Sequence, residues 1–200
     1  MDPQVIETNK KTLKEMWADR GYSVSPSTIT FSKLKKQNYF ILSNHESTEE
    51  STKESTEKII IFCLWITVYK PKPSYVKKQI EMIQKKFEDT NLHIVIIIKD
   101  VISSLIKNVI KRYKQVELYH YKELSFNLTH HQLVPKHSKL SPTEKRELHE
   151  KYGIERELQL PILSVNDPIS KYYAFQKGDI CKIIRTHSTN GVVVAYRYVA

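Results

Sequence analysis

The sequence predicts two joined parts, an α/β layer domain over residues 1–126 and a small α+β domain over residues 127–200. Three observations carry that reading. Two β-branched apolar runs without an acid, Ile59 to Val68 and His93 to Ile98, flank a helical pattern, which is the order of a βαβ unit with parallel pairing. Helix-start, helix-stop, turn and hairpin signals then crowd into the last third of the chain. Between the two regions, at Asn127 to His131, the patterning changes, and the boundary is placed there.

The elements follow in order. Val5, Ile6, Leu13, Met16 and Trp17 fall on a helical spacing over residues 3–20, and Gly21 is placed to stop that helix. Tyr22-Ser23-Val24 and Ser25-Pro26 read as an exit and a turn. Phe31 to Leu34 and Tyr39 to Leu42 read as short strands. Glu-Ser-Thr recurs at 46–48, 50–52 and 54–56, and no apolar residue occurs from Glu46 to Lys58. Nothing there repays the entropy of ordering, so 46–58 is expected to be a flexible insertion. From Ser74 to Phe87, Val76, Ile80, Ile83 and Phe87 share one helical face with lysines opposite. A further helix is expected from Ser103 to Tyr113, with Leu105, Ile106, Val109 and Ile110 inward and Lys107, Lys111 and Arg112 outward. Val116 to Tyr121 reads as the next strand.

In the C-terminal part, Ser141-Pro142-Thr143-Glu144 combines a capping serine, a proline at the first helical position and a glutamate three residues after the cap. That helix is expected to run to Tyr152 and stop at Gly153, with a thin inward stripe of Leu148 and Tyr152. Leu158 to Val165 reads as a strand interrupted at Pro161, hence at a sheet edge. Asp167-Pro168 starts a short helical turn through Tyr172, closed by Lys177-Gly178. Ile180 to Arg185 and Val192 to Val199 form a hairpin across Thr186 to Gly191. In its second strand Val192, Val194, Tyr196 and Tyr198 share one face.

The net charge of +10 permits contact with a polyanion, but its distribution is even. Residues 1–129 carry 21 basic and 15 acidic side chains, and residues 130–200 carry 11 and 7, with no block of like charge. A solvated, lysine-rich surface is the simpler reading of charge alone. Cys63 and Cys181 lie far apart, each in an expected strand, and are read as buried, reduced thiols. The polar start of the chain is no signal peptide, and the longest apolar run is about half a bilayer span. No membrane is expected among the partners, and an intracellular location is.

Catalysis is the first alternative to weigh. A metal-dependent nuclease needs two or more carboxylates at strand ends. Ile59 to Val68 has none, and His93 to Ile98 is followed only by Lys99 and Asp100. His120, His130, His131 and His137 raise a zinc reading, but the thiols are remote, so caps and loop hydrogen bonds are the better employment. No catalytic residue, metal site or cofactor is therefore expected. Lys99, Lys107, Lys111 and Arg112 would gather at a strand end and along the following helix, where they could meet phosphates without reading sequence. A solvated helix face is the competing account.

Taken in order, the C-terminal residues resemble the fifth-subunit family of RNA polymerases, shared by archaeal and eukaryotic enzymes. The points of likeness are His131-x-Leu133-Val134-Pro135-x-His137, Leu140-Ser141-x-x-Glu144, Lys151-Tyr152-x-Ile154 and Gln159-Leu160-Pro161. Asp167-Pro168, Tyr172, Lys177-Gly178, Lys182-Ile183-Ile184-Arg185, Gly191 and Tyr196-Arg197 continue it. The N-terminal part is similar, more loosely, to the eukaryotic-type extension at Trp17, Arg20-Gly21-Tyr22, the two apolar strands and Asn127-Leu128-Thr129-His130. Ile162 stands where the family often has arginine, and Val101-Ile102-Ser103-Ser104 where it usually has Thr-Pro-Ser. Lysine (26) and isoleucine (22) dominate over arginine (6), as in a divergent member; one encoded by a large cytoplasmic DNA virus would fit.

The resemblance implies a non-catalytic subunit of a DNA-directed RNA polymerase. Its C-terminal domain would dock on the largest subunit through His131, Pro135, His137, Gln159, Pro161, Arg185, Tyr196 and Arg197. Its N-terminal domain would be a jaw-like layer of nuclease-like fold without catalytic carboxylates. Lys99, Ser103, Ser104, Lys107, Lys111 and Arg112 would then lie nearest downstream double-stranded DNA, held weakly and without sequence preference. Other polymerase subunits and transcription regulators are the remaining partners it implies. The location would be the nucleus for a cellular protein, or host cytoplasm and virion for a viral one. Two further readings stand beside it: a free-standing DNA-binding or nuclease-like protein, and an adaptor for regulators.

Overall fold

Runs that are apolar on both faces must be covered on both faces, and the first unit is built around that requirement. A computed structural model describes residues 3–22, 32–34, 37–43, 59–87, 91–187 and 191–200. Chain contacts divide it into two units, Met1–Phe126 and Asn127–Ala200. The first holds α1 (Pro3–Asp19), β1 (Ser32–Leu34), β2 (Gln37–Ser43), β3 (Ile59–Ile66), α2 (Pro73–Lys86), β4 (Asn91–Ile98), α3 (Ser104–Ile110) and β5 (Val116–His120). The sheet order is β1-β2-β3-β4-β5. β1, β2 and β3 pair antiparallel, whereas β3, β4 and β5 are parallel and in register from Ile59↔Asn91 and Ile94↔Val116.

Period-two alternation divides the β3 and β4 side chains between two cores. Phe62, Leu64, Ile66, Ile94, Ile96 and Ile98 meet Val76, Ile80 and Ile83 of α2 and Ile106 and Ile110 of α3. On the other face α1 brings Trp17 to His93, with ring centroids 5.4 Å apart, and Arg20 to Glu117. Cys63 and Trp65 are fully buried. The helix of α1 ends where Gly21 takes a φ of 91°, a left-handed conformation that costs glycine little.

Several expectations change here. Leu105 was expected inward, but it is 66% exposed. With only seven residues, α3 reaches the core through Ile106 and Ile110, one turn apart, and Leu105 falls off that narrow stripe. The helix is thus shorter than Ser103 to Tyr113. Val68 lies in a bend beyond β3, and Tyr121 opens a 3-10 turn, Tyr121–Leu124, capped by His120. Phe31, the exit at 23–26 and the Glu-Ser-Thr insertion at 46–58 lie outside the described residues.

The second unit contains β6 (Lys136–Lys139), α4 (Pro142–Tyr152), β7 (Ile162–Leu163), α5 (Pro168–Tyr172), β8 (Ile180–His187) and β9 (Gly191–Val199). The sheet order is β6-β8-β9-β7. β8 and β9 form the antiparallel hairpin, β6 pairs antiparallel with β8, and β7 runs parallel to β9 at the edge. Cys181, Ile183 and Val199 pack on Leu163 and Phe175 on one face, and Ile180 packs with Leu140 and Leu148 of α4 on the other. The cap of α4 is reciprocal. The Glu144 amide donates to Ser141 Oγ at 3.3 Å, and the Ser141 amide donates to Glu144 Oε2 at 2.8 Å. Gly153 closes the helix at φ 61°. Ser141→Ala is therefore expected to cost about 1 kcal/mol, read as a lower urea midpoint at unchanged slope.

Three expectations are corrected in this unit. Tyr152 was expected inward but is exposed, its ring beside Tyr196 with centroids 6.2 Å apart. The strand expected from Leu158 to Val165 reduces to Ile162–Leu163, because Glu157–Gln159 winds into a 3-10 turn and Pro161 has no N–H to pair. The segment expected to be a loop up to His137 becomes strand at Lys136. Lys136–Lys139 has no apolar residue to announce a strand; its ladder with β8 makes it one.

Candidate functional site: two basic surfaces

The parallel strands of the first unit point their C-terminal ends at the loops after β3 and β4. Lys70, held at a left-handed φ of 43°, donates its amide to Asp100 Oδ2 at 2.7 Å and so ties these two loops together. That bond, followed by one from the Val101 amide, lowers the Asp100 pKa. Asp100 therefore serves the backbone. Among the described residues, no three or more His, Cys, Asp or Glu gather in a way that could hold a metal ion.

Lys99 is exposed beside Asp100, and Ser103 Oγ caps α3 by accepting from the Ile106 amide at 3.4 Å. Ser104 opens the helix and is exposed. Lys107 and Lys111, one turn apart, are exposed, as is Arg112. The expected residues thus form two groups: Lys99, Ser103 and Ser104 at one end of α3, Lys111 and Arg112 at the other, with Lys107 between. Sequence reasoning missed Lys70 and Lys72, which are exposed on the loop tied to Asp100, and the exposed Tyr69 and Val101 beside them. The signal was available only as the parallel pairing of β3 and β4, which brings these loops to one end.

In the second unit, strand register sorts the expected residues. His137 lies opposite Ile183, Lys139 opposite Cys181, Cys181 opposite Arg197 and Arg185 opposite Val193. These positions share one sheet face. The His137 Nδ1 lies 2.7 Å from the Pro135 carbonyl oxygen. Burial lowers the His137 pKa below its ordinary value, and Arg185 and Arg197 push the same way against the Pro135 carbonyl and Asp167. Arg197 also donates to the Ile162 carbonyl at 3.2 Å.

Tyr196 is on the opposite face, opposite Lys182, where it lines a groove of about 180 Å³ with Leu148, Lys151 and Tyr152. Gln159 is occupied locally, its Oε1 accepting from the Glu155 amide at 3.2 Å. Pro161 is exposed, and its carbonyl accepts from the Tyr198 amide at 2.9 Å. His131 accepts the Leu133 amide at its Nδ1, 3.2 Å away, to form a turn. The structure therefore joins His137, Arg185 and Arg197, separates them from Tyr196, and uses His131 and Gln159 to shape loops. Lys182, part of a stretch singled out only for its family likeness, is a further cation of this hairpin.

The family model described as RNA polymerase Rpb5, C-terminal domain, matches residues 126–199. Over 94% of this chain and 93% of the relative, the sequence is 28% identical to the protein of Dictyostelium discoideum named DNA-directed RNA polymerases I, II, and III subunit rpabc1. It is 24% identical to DNA-directed RNA polymerase subunit 5-like protein 1 of Arabidopsis thaliana, over 99% of this chain and 98% of that one. The chain is thus a relative of DNA-directed RNA polymerase subunits. Within that likeness, residues 126–199 resemble the Rpb5 C-terminal domain. No helix among the described residues is long and apolar enough to cross a membrane.

Proposed function

We propose that this chain is a non-catalytic subunit of a DNA-directed RNA polymerase. It docks on the largest subunit through its C-terminal unit and holds downstream double-stranded DNA beside its N-terminal unit. The observation that carries the reading is the Rpb5 C-terminal-domain match over residues 126–199, joined to near full-length similarity with polymerase subunits. The N-terminal unit would be the jaw. Its order of a helix, three antiparallel strands and two further helix–strand steps with parallel pairing would be akin to a nuclease layer, and its loop acid, Asp100, is engaged by backbone amides. That engagement counts against the free-standing nuclease reading. The exposed apolar and basic loops at the same end leave room for regulators, and the site of work would be the nucleus or a viral equivalent.

Affinity purification of the tagged chain from its own cells should recover the catalytic polymerase subunits; recovery of a lone monomer would overturn the reading. The DNA assignment has its own check. Neutralising Lys107, Lys111 and Arg112 to Gln should leave assembly intact and flatten the salt dependence of DNA retention by about two to three units of log–log slope. Retention indistinguishable from the unaltered polymerase at every ionic strength would remove α3 from the DNA path.

A further inference from the structure

Among the described residues, β9 has an open edge. Its residues alternate, one turning its N–H and C=O towards β8 and the next turning them the other way. Leu140 donates to the Ile180 carbonyl at 3.0 Å, so Ile180 faces β6 and its odd-numbered neighbours on β8 face β9. Through the register, Val193, Ala195 and Arg197 answer them. The other set, Val192, Val194, Tyr196 and Tyr198, faces away, and the Tyr198 amide meets the Pro161 carbonyl at 2.9 Å. β7 covers only Tyr198 and Val199 of the nine-residue strand. Among the described residues, nothing pairs with the outward groups of Val192, Val194 and Tyr196. The open stretch, Gly191 to Tyr196, is about 20 Å long.

Its side chains are as unusual as its backbone. Val192, Val193 and Val194 are 66%, 44% and 42% exposed. Proteins commonly blunt an exposed edge with lysine, proline or a bulge. Val192-Val193-Val194-Ala195-Tyr196 has neither lysine nor proline and pairs with β8 in unbroken register. A row of alternating donors and acceptors flanked by valines is matched by another extended strand rather than by a helix or a nucleic acid. Charge decides whose strand. The hairpin of β8 and β9 carries Lys182, Arg185 and Arg197 and no carboxylate. Two copies would bring like charges together, whereas a strand carrying carboxylates would complement them.

We infer that the β9 edge from Val192 to Tyr196 receives an extended, acid-bearing apolar strand from a partner polypeptide, which lengthens the C-terminal sheet by one. The inference rests on the polymerase reading and specifies its docking mode: the partner is another polymerase subunit, and backbone pairing supplies the register.

The test uses the full chain and polymerase purified without it. In the free chain, residue-resolved hydrogen exchange should find the amides of Val192, Val194 and Tyr196 fast and those of Val193, Ala195 and Arg197 slow. On assembly the first set should slow by about 100-fold or more. Val194→Pro removes only an outward N–H, so the chain should keep its melting midpoint and lose about tenfold or more in polymerase affinity. If the chain assembles while those three amides exchange as in the free protein, the inference fails and the polymerase reading stands. If the chain does not bind polymerase at all, both fail. If the same amides are protected in the isolated chain and it sediments as a dimer, the occupant is a second copy and the inference is overturned.

Discussion

Arg20→Met is expected to cost the first unit about 3–5 kcal/mol, because it strands a partly buried carboxylate that the native chain neutralises. The Arg20 side chain is 4% exposed. Its guanidinium donates to Glu117 Oε1 at 2.8 Å, to Glu117 Oε2 at 2.9 Å and to the Tyr119 hydroxyl at 3.1 Å. Tyr119 donates in turn to Glu117 Oε2 at 2.8 Å. Burial, the largest single influence, opposes the arginine's charge, but Glu117 and Tyr119 outweigh it and hold its pKa above the ordinary value. The guanidinium also lies 4.6 Å from the centre of the Trp17 ring, so it joins α1 to β5.

Against a typical total of about 5–15 kcal/mol, such a loss removes a large share of the unit's stability and should lower its melting midpoint by many degrees. The double variant Arg20→Met with Glu117→Leu should recover most of the stability, since a well-packed apolar pair replaces the buried ions. Urea unfolding of the native chain, both single variants and the double variant measures this. A single-variant cost below about 1 kcal/mol would reduce the pair to the value of a surface contact.

The largest functional effect is expected from Arg185→Glu combined with Arg197→Glu. Both positions share a sheet face with His137 and Lys139, and both are accessible enough to be changed without opening the core. Reversing two charges against an acidic partner should lower recovery with polymerase by about tenfold or more, each tenfold step being about 1.4 kcal/mol. Lys182→Glu, a single reversal on the opposite face, should have a clearly smaller effect. If Lys182→Glu abolishes co-purification while the double arginine variant assembles normally, the docking face is the one bearing α4 and Tyr196.

The fold was legible where one residue pattern answers to one physical cause. Ile59 to Val68 and Val76, Ile80 and Ile83 announced a buried strand and a one-faced helix through periodicity. Ser141, Glu144 and Gly153 announced a helix through local hydrogen bonding and backbone freedom. What could not be read depends on partners remote in sequence. Lys136–Lys139 is a strand only because β8 lies beside it, and Leu105 is exposed only because α3 is short. For the same reason, Arg185 and Arg197 could be noticed singly, but their common face follows from a register no local pattern encodes. The Arg20–Glu117 pair spans 97 positions and left no trace beyond a family likeness at Arg20-Gly21-Tyr22. The open edge of β9 was half visible as a valine run; its lack of cover required knowing how short β7 is.

The two cysteines supply a built-in gauge. Cys63 belongs to the first unit and Cys181 to the second, neither has any accessible surface, and burial raises the pKa of both, that of Cys181 to about 11. A thiolate-seeking dye can thus reach either sulfur only when its own unit opens. Cys63→Ser and Cys181→Ser chains, labelled side by side, would clock the breathing of each half in isolation and show which half a bound polymerase quiets.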